Sequence, residues 1–176
     1  MNKKKKLVPI LVSVLVVLGL VLVGLNFLTG GILGEMLFDR PSKPVVKNAE
    51  FPFELVYEYN GQQYTVKESI ICEYEGIEFT LDGGNHREWN CYVTNNEDYG
   101  RYLLDPEKSL TFFVQVPLEA EYYMGAPNFN EELAMPYIHY IDDATGTMYY
   151  EQDLMDEVGA RIVRWTVAAP LTDNIK

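Results

Sequence analysis

Residues 7 to 28 read LVPILVSVLVVLGLVLVGLNFL, and no charged side chain interrupts them. No other feature constrains the chain as much. A helix rising about 1.5 Å per residue carries such a run across roughly 33 Å, the depth of a hydrocarbon core of about 30 Å. Pro9 lies in the first turn, where its missing N–H costs little. The run is apolar all round, so lipid or other membrane helices are its natural surroundings. A cleaved secretory signal is the rival reading. Signal h-regions span about 7 to 15 residues and end at a small-x-small site. This run is longer, no A-x-A follows it, and no cysteine precedes Cys72 to serve as a lipoprotein site. The sequence therefore predicts an uncleaved transmembrane helix over 7–28 that meets the lipid bilayer.

Charge gives the orientation. Lys3, Lys4, Lys5 and Lys6 abut the run, and the first carboxylate is Glu35. Basic residues beside a span hold that end in the cytoplasm. Residues 1–6 are then a short cytoplasmic basic tail, and everything beyond the helix lies outside. Arg40, Lys43 and Lys47 oppose this from the other end, but long downstream domains translocate largely regardless of charge. From Arg40 onward 10 basic side chains face 24 acidic ones, a net of −14. An excess of acid that large argues against nucleic acid as a partner, because phosphate binding needs a basic patch.

Residues 29–49, TGGILGEMLFDRPSKPVVKNA, mix glycine, two prolines and both charge signs. Pro41 and Pro44 favour extended chain, so this segment reads as a juxtamembrane linker. Ile32, Leu33, Met36, Leu37 and Phe38 are apolar enough to lie at the headgroups. Gly30 and Gly34 form a small-xxx-small pair, read as a helix end passing into a glycine-rich linker.

From residue 50 the pattern changes to alternation, the mark of half-buried strands. Phe51, Phe53, Leu55, Tyr57 and Tyr59 share one face, and Glu54 and Glu58 the other. Asn60-Gly61 then signals a hairpin. The returning strand aligns Tyr64, Val66, Ile70, Cys72 and Tyr74, and Gly76 breaks or bulges it. A further strand turns Ile77, Phe79 and Leu81 inward and ends at Asp82-Gly83-Gly84-Asn85. Next come strands with Trp89, Cys91 and Val93 inward, and with Leu110, Phe112, Val114 and Val116 inward. Strands over Pro136–Ile141 and Thr147–Tyr150 flank a loop from Asp142 to Gly146. The last strand turns Val163, Trp165 and Val167 inward and Arg161, Arg164 and Thr166 out. One short helix is predicted over Glu151–Val158, capped by Gly159, with a single turn near Asn130–Met135. Many short strands with frequent turns predict a mainly β fold, a β-sandwich or partly open barrel, over 50–170. Residues 171–176 read as a polar tail.

Cys72 and Cys91 both fall on inward positions. Outside the cytoplasm they are free to form a disulfide; two buried thiols are the other reading. No C-x-x-C, G-x-S-x-G or zinc spacing occurs, so no catalytic, cofactor or metal residue is assigned. His86 and His139 stand alone and read as structural. Asp142-Asp143, Glu131-Glu132, Glu97-Asp98 and Asp153 with Asp156-Glu157 do not fit a calcium loop and read as solvated surface. Tyrosine is the remaining signal. Tyr122-Tyr123 and Tyr149-Tyr150 are adjacent pairs, which a strand turns to opposite faces, leaving one of each pair exposed as a binding surface. The function expected is non-enzymatic binding or assembly at the cell envelope. The partner would be another envelope protein or a cell-wall polysaccharide. A glycan-binding or carboxylate-dependent hydrolytic domain is the alternative.

Overall fold

A computed structural model describes residues 3–28, 40–80, 84–105, 111–127, 129–142 and 144–175. The linker positions 29–39, with Gly30 and Gly34, lie outside these, as do Leu81, Asp82, Gly83, Leu110 and Asp143. The chain forms two compact units, Met1–Pro41 with Gly76–Glu88, and Ser42–Glu75 with Trp89–Lys176.

In the first unit, helix α1 runs Lys3–Leu28, 26 residues. Side chains are described on it for 12–25 and Leu28, and Val12, Leu15, Leu18 and Leu22 are among those exposed. The stretch 12–25 rises about 21 Å. Among the described residues no helix is long and apolar enough to cross a membrane. The unit also holds one end of a β-hairpin, where His86 Nε2 lies 3.7 Å from Glu78 Oε2.

The second unit is built of antiparallel strands, two of which run on into residues 76–80 and 84–88 of the first. β1 (Asn48–Tyr59), β2 (Gln62–Thr80), β3 (Gly84–Val93), β8 (Asp153–Leu154) and β9 (Ala160–Val167) form one sheet, ordered β3-β2-β1-β9-β8. β4 (Arg101–Leu103), β5 (Phe112–Gln115), β6 (Tyr137–Asp142) and β7 (Thr147–Glu151) form the other, in chain order. Both sheets supply one core: Phe51, Leu55 and Ile70 from the first, Phe112, Val114 and Ile138 from the second. Each large side chain so buried contributes about 1.5–3 kcal/mol.

The turns follow local chemistry. Asn60 and Gly61 hold φ of 50° and 76°, so the β1–β2 connection is the left-handed pair that matches strand twist. The cysteine strands lie side by side, and Cys72 is bonded to Cys91 across a sequence separation of 19. Cys72 is fully buried and Cys91 half-buried, beside half-buried Trp89.

Several expectations are corrected. Gly76 does not end a strand: β2 continues through it to Thr80 as one 19-residue strand. In β9, Ile162 rather than Val163 turns inward, and Val163 is 44% exposed. The cause is a bulge: β9 pairs Val56 with Arg164 and Tyr57 with Ile162, so Val163 is unpaired and the phase of alternation flips. The helix expected over Glu151–Val158 is shorter. Glu151 closes β7, β8 intervenes, and the helix α3 is Met155–Val158, with Gly159 capping it at φ 71°. Before it, α2 (Ala120–Tyr123) forms where no helix was expected, and the turn expected near Asn130–Met135 is a 3₁₀ turn over Glu131–Ala134, capped by Asn130.

The segment after residue 170 is not a free tail. Asn174 and Ile175 are 4% and 7% exposed. Asn174 accepts from Val46 N–H, and its Nδ2 donates to the carbonyls of Val46 at 3.2 Å and Met124 at 3.1 Å. Pro44 is buried as well, so packed structure begins inside the stretch read as linker.

Candidate functional site: an aromatic face on the four-stranded sheet

The two sheets turn different chemistry outward. On the five-stranded sheet, β1 directs Glu54 and Glu58 away from the core. Lys67 Nζ lies 3.3 Å from Glu54, Arg164 pairs with Glu54, and Arg161 Nη2 donates to Glu58 at 2.8 Å. Lys67 and Arg164 together hold the Glu54 carboxyl below its ordinary value, mainly through hydrogen bonds. An open trough of about 550 Å³ lies along this face, between Pro52, Glu54, Lys67, Ser69, Thr166 and Ala168. Glu54, Glu58, Lys67, Arg161 and Arg164 pair with one another here, so this part of the face is a solvated ion-pair ladder.

The four-stranded sheet is different. Its register places Leu103, Phe113, His139 and Tyr150 in one row across β4, β5, β6 and β7. Arg101, Gln115 and Tyr137 form the row on one side, and Ile141 and Met148 the row on the other. These positions alternate with Tyr102, Phe112, Val114, Ile138, Tyr140 and Tyr149, which face the core. None of the ladder positions on the outer face is a carboxylate, in a domain that carries 24 of them.

The rings of this face touch in sequence. Phe113 and His139 stack at 4.6 Å with planes 6° apart, and His139 meets Tyr150 edge-on at 5.0 Å. Tyr150 also meets Tyr137 at 5.7 Å. The Arg101 guanidinium lies 5.0 Å over the Phe113 ring, a cation–π contact. Arg101 and His139 leave Phe113 only 5% exposed, although it points away from the core. The row's other end is open: Tyr150 is 55% and Met148 56% exposed, and the Tyr150 hydroxyl donates to Met148 Sδ at 3.3 Å. Burial, and then the charge of Arg101, hold the His139 imidazole below its ordinary pKa, so it is neutral at pH 7. Burial and the neighbouring Tyr150 push the Tyr137 phenol up.

A single loop presents Arg101. Asn96 Oδ1 accepts from the N–H groups of Asp98 and Gly100, at 2.9 and 3.2 Å, and Asn96 Nδ2 donates to the Arg101 carbonyl at 3.1 Å. Tyr99 sits in this loop at φ 53° and is 73% exposed. Gln115 Nε2 donates to its carbonyl at 2.9 Å.

Of the four tyrosines expected to form a surface, Tyr150 does. Tyr149 alternates to the inner side, where it lies 5.9 Å from Tyr140. Tyr122 and Tyr123 correct the expectation, because they lie on α2 and not on a strand. Tyr123 is fully buried, donates to the Pro117 carbonyl at 3.2 Å and belongs to the core. Tyr122 is half-buried between Tyr123 and Phe129. The residues missed from sequence are Arg101, Phe113, Tyr137 and His139. One signal for them was present. A hairpin closed between Asp142 and Thr147 necessarily sets His139 opposite Tyr150.

Among the described residues no group of three metal-binding side chains occurs. Asp142, held below its usual pKa by the Ala144 N–H and the Thr145 hydroxyl, serves as a loop cap. It and Glu54 are displaced downwards, opposite to what a catalytic acid needs. No family model matches this sequence, and no curated protein or solved structure matches it either.

Proposed function

We propose that the chain is a single-pass membrane-anchored protein whose β-rich domain lies outside the cytoplasm and has a non-enzymatic binding or assembly role at the cell envelope. In this reading residues 7–28 of α1 lie in the bilayer and the Lys3–Lys6 end is cytoplasmic. The Cys72–Cys91 bond supports an oxidising compartment, since structural disulfides persist outside the cytoplasm.

The binding role rests on one observation, the contrast between the two outer faces. One is charged and holds Glu54 and Glu58 in ion pairs with Lys67, Arg161 and Arg164. The other gathers Phe113, Tyr137, His139 and Tyr150 with no carboxylate among them. Tyr150 is exposed, Tyr137 and His139 are half-buried, and Phe113 supports them from beneath; aromatic rings on rigid strands supply contact area at low entropic cost, which is what recognition surfaces use. A photo-crosslinker placed at Tyr150 in intact cells is expected to capture envelope material, and one at Arg161 to capture none. Equal capture at the two positions contradicts the reading.

A further inference from the structure

The binding face carries one full positive charge. The described ion pairs of the domain engage Arg161, Arg164 and Lys67 with carboxylates, and Arg101 is in none of them. Its guanidinium lies on Phe113, and its Nε is buried with no hydrogen-bond partner among the described residues. Leaving such a donor unpartnered costs about 1–3 kcal/mol, which a carboxylate removes by accepting from Nε and Nη in a fork. Aromatic rings lead away from it. The row Phe113–His139–Tyr150 crosses β5, β6 and β7, about 10 Å at the spacing of strands in a sheet.

We propose that this face binds an acidic saccharide, with the carboxylate on Arg101 and a sugar ring against Tyr150 and His139. The inference deepens the binding role stated above and rests on it. Two features favour a sugar over a peptide. A peptide that adds to a sheet runs along an edge strand, parallel to the strands. This row runs across them. And the row ends in one open ring, Tyr150, 55% exposed beyond the stacked pair Phe113–His139, and an open tyrosine ring suits the C–H face of a pyranose. The carboxylate preference follows from the charge pattern: among the described residues no outer ladder position of the strip is a carboxylate and no ion pair engages Arg101. On binding, the guanidinium swings off Phe113 and its Nε–H becomes available.

Full-length protein in lipid nanodiscs, titrated with trigalacturonic acid, with its methyl ester and with triglutamate, tests this through the ring signals of His139 and Tyr150. The acid is expected to bind, the neutral ester about ten- to a hundredfold more weakly, and the peptide not to shift the rings. Arg101→Gln is expected to bring the acid down to the level of the ester, Arg101→Lys to fall between, and Tyr150→Ala to abolish both. Tyr150 is largely exposed, so its loss leaves the fold intact. Comparison of acid with ester needs no variant, so misfolding of an Arg101 variant does not shield the proposal. Equal binding of acid and ester, or no binding of either, overturns the saccharide inference while the face remains the contact surface if Tyr150→Ala lowers binding of another partner. Ring shifts with triglutamate in place of the saccharide overturn it in favour of a protein partner. Saccharide binding that survives Tyr150→Ala overturns the face itself.

Discussion

Asn174 joins three stretches of chain that sequence does not relate: Val46 before β1, Met124 after α2, and the segment after residue 170. An asparagine near the end of a polar hexamer gives no sign of this, because its partners are backbone groups brought in by the fold. Asn174→Ala leaves those groups without partners and is expected to cost about 1–3 kcal/mol, read as a lower denaturant midpoint at unchanged slope. Gly125 is held as tightly. At φ 78° a Cβ there would stand 2.3 Å from the Leu171 carbonyl oxygen, so Gly125→Ala forces the two segments apart. The disulfide, by contrast, was open to sequence reasoning, since alternation turned both cysteines inward. Replacing both by alanine is expected to cost about 3 kcal/mol through lost loop constraint. Thiol labelling of denatured protein is expected to find none free until reductant is added. His139 makes stability depend on pH. Its pKa is lower folded than unfolded, so between about pH 6.5 and the folded value only the unfolded chain takes the proton. Stability therefore falls as pH falls through that window. Glu54 and Asp142 act in the same direction at lower pH, because their folded pKa values are lowered too. His139→Phe keeps the stack on Phe113 and is expected to flatten the first part of the acid limb. An unchanged limb shows that the ring is not desolvated.

At the scale of elements, alternation and turn residues carried most of the fold. β1 was legible because Phe51, Phe53, Leu55 and Tyr57 alternate without interruption. Both tight hairpins were legible because Asn60-Gly61 and Gly146 need positive φ. What escaped has physical causes. β4 is three residues long and shows no period. β5 buries both faces, since Phe113 is covered from outside by Arg101 and His139, so alternation misstates its exposure. α2 is one turn whose helical state depends on packing Tyr123 and Met124 into the core rather than on propensity. The β9 bulge moved Val163 outward and Ile162 in, a shift that no local residue announces. The bulge gives a sharp expectation. Val163→Asp is tolerated within about 0.5 kcal/mol, whereas Ile162→Asp buries a charge against the core and unfolds the domain. Similar losses at the two sites in denaturant titrations contradict the bulge. For the site, the rows of rings follow from register, which the Asp142–Thr147 closure sets. Arg101 was illegible because its place depends on a loop built by Asn96.

For the molecule as a whole, the charge pattern and the uncharged run carry the account. Lysine is concentrated in residues 3–6, and the domain that follows is strongly acidic. An acidic domain is repelled by anionic lipid, and the Arg101–Tyr150 strip is the face we propose for binding because none of its described ladder positions is a carboxylate. The proposed binding role places the domain on the outer side of the membrane, where a disulfide such as Cys72–Cys91 persists. The proposed function therefore depends first on topology. Ala144 is exposed in the β6–β7 loop, and the native cysteines are bonded to each other, so Ala144→Cys introduces a lone accessible thiol. The direct test treats wall-stripped cells with a membrane-impermeant maleimide before and after lysis, with Asn2→Cys as the partner variant. The account predicts full labelling at position 144 in intact cells and labelling at position 2 only after lysis. Labelling at position 144 only after lysis contradicts it.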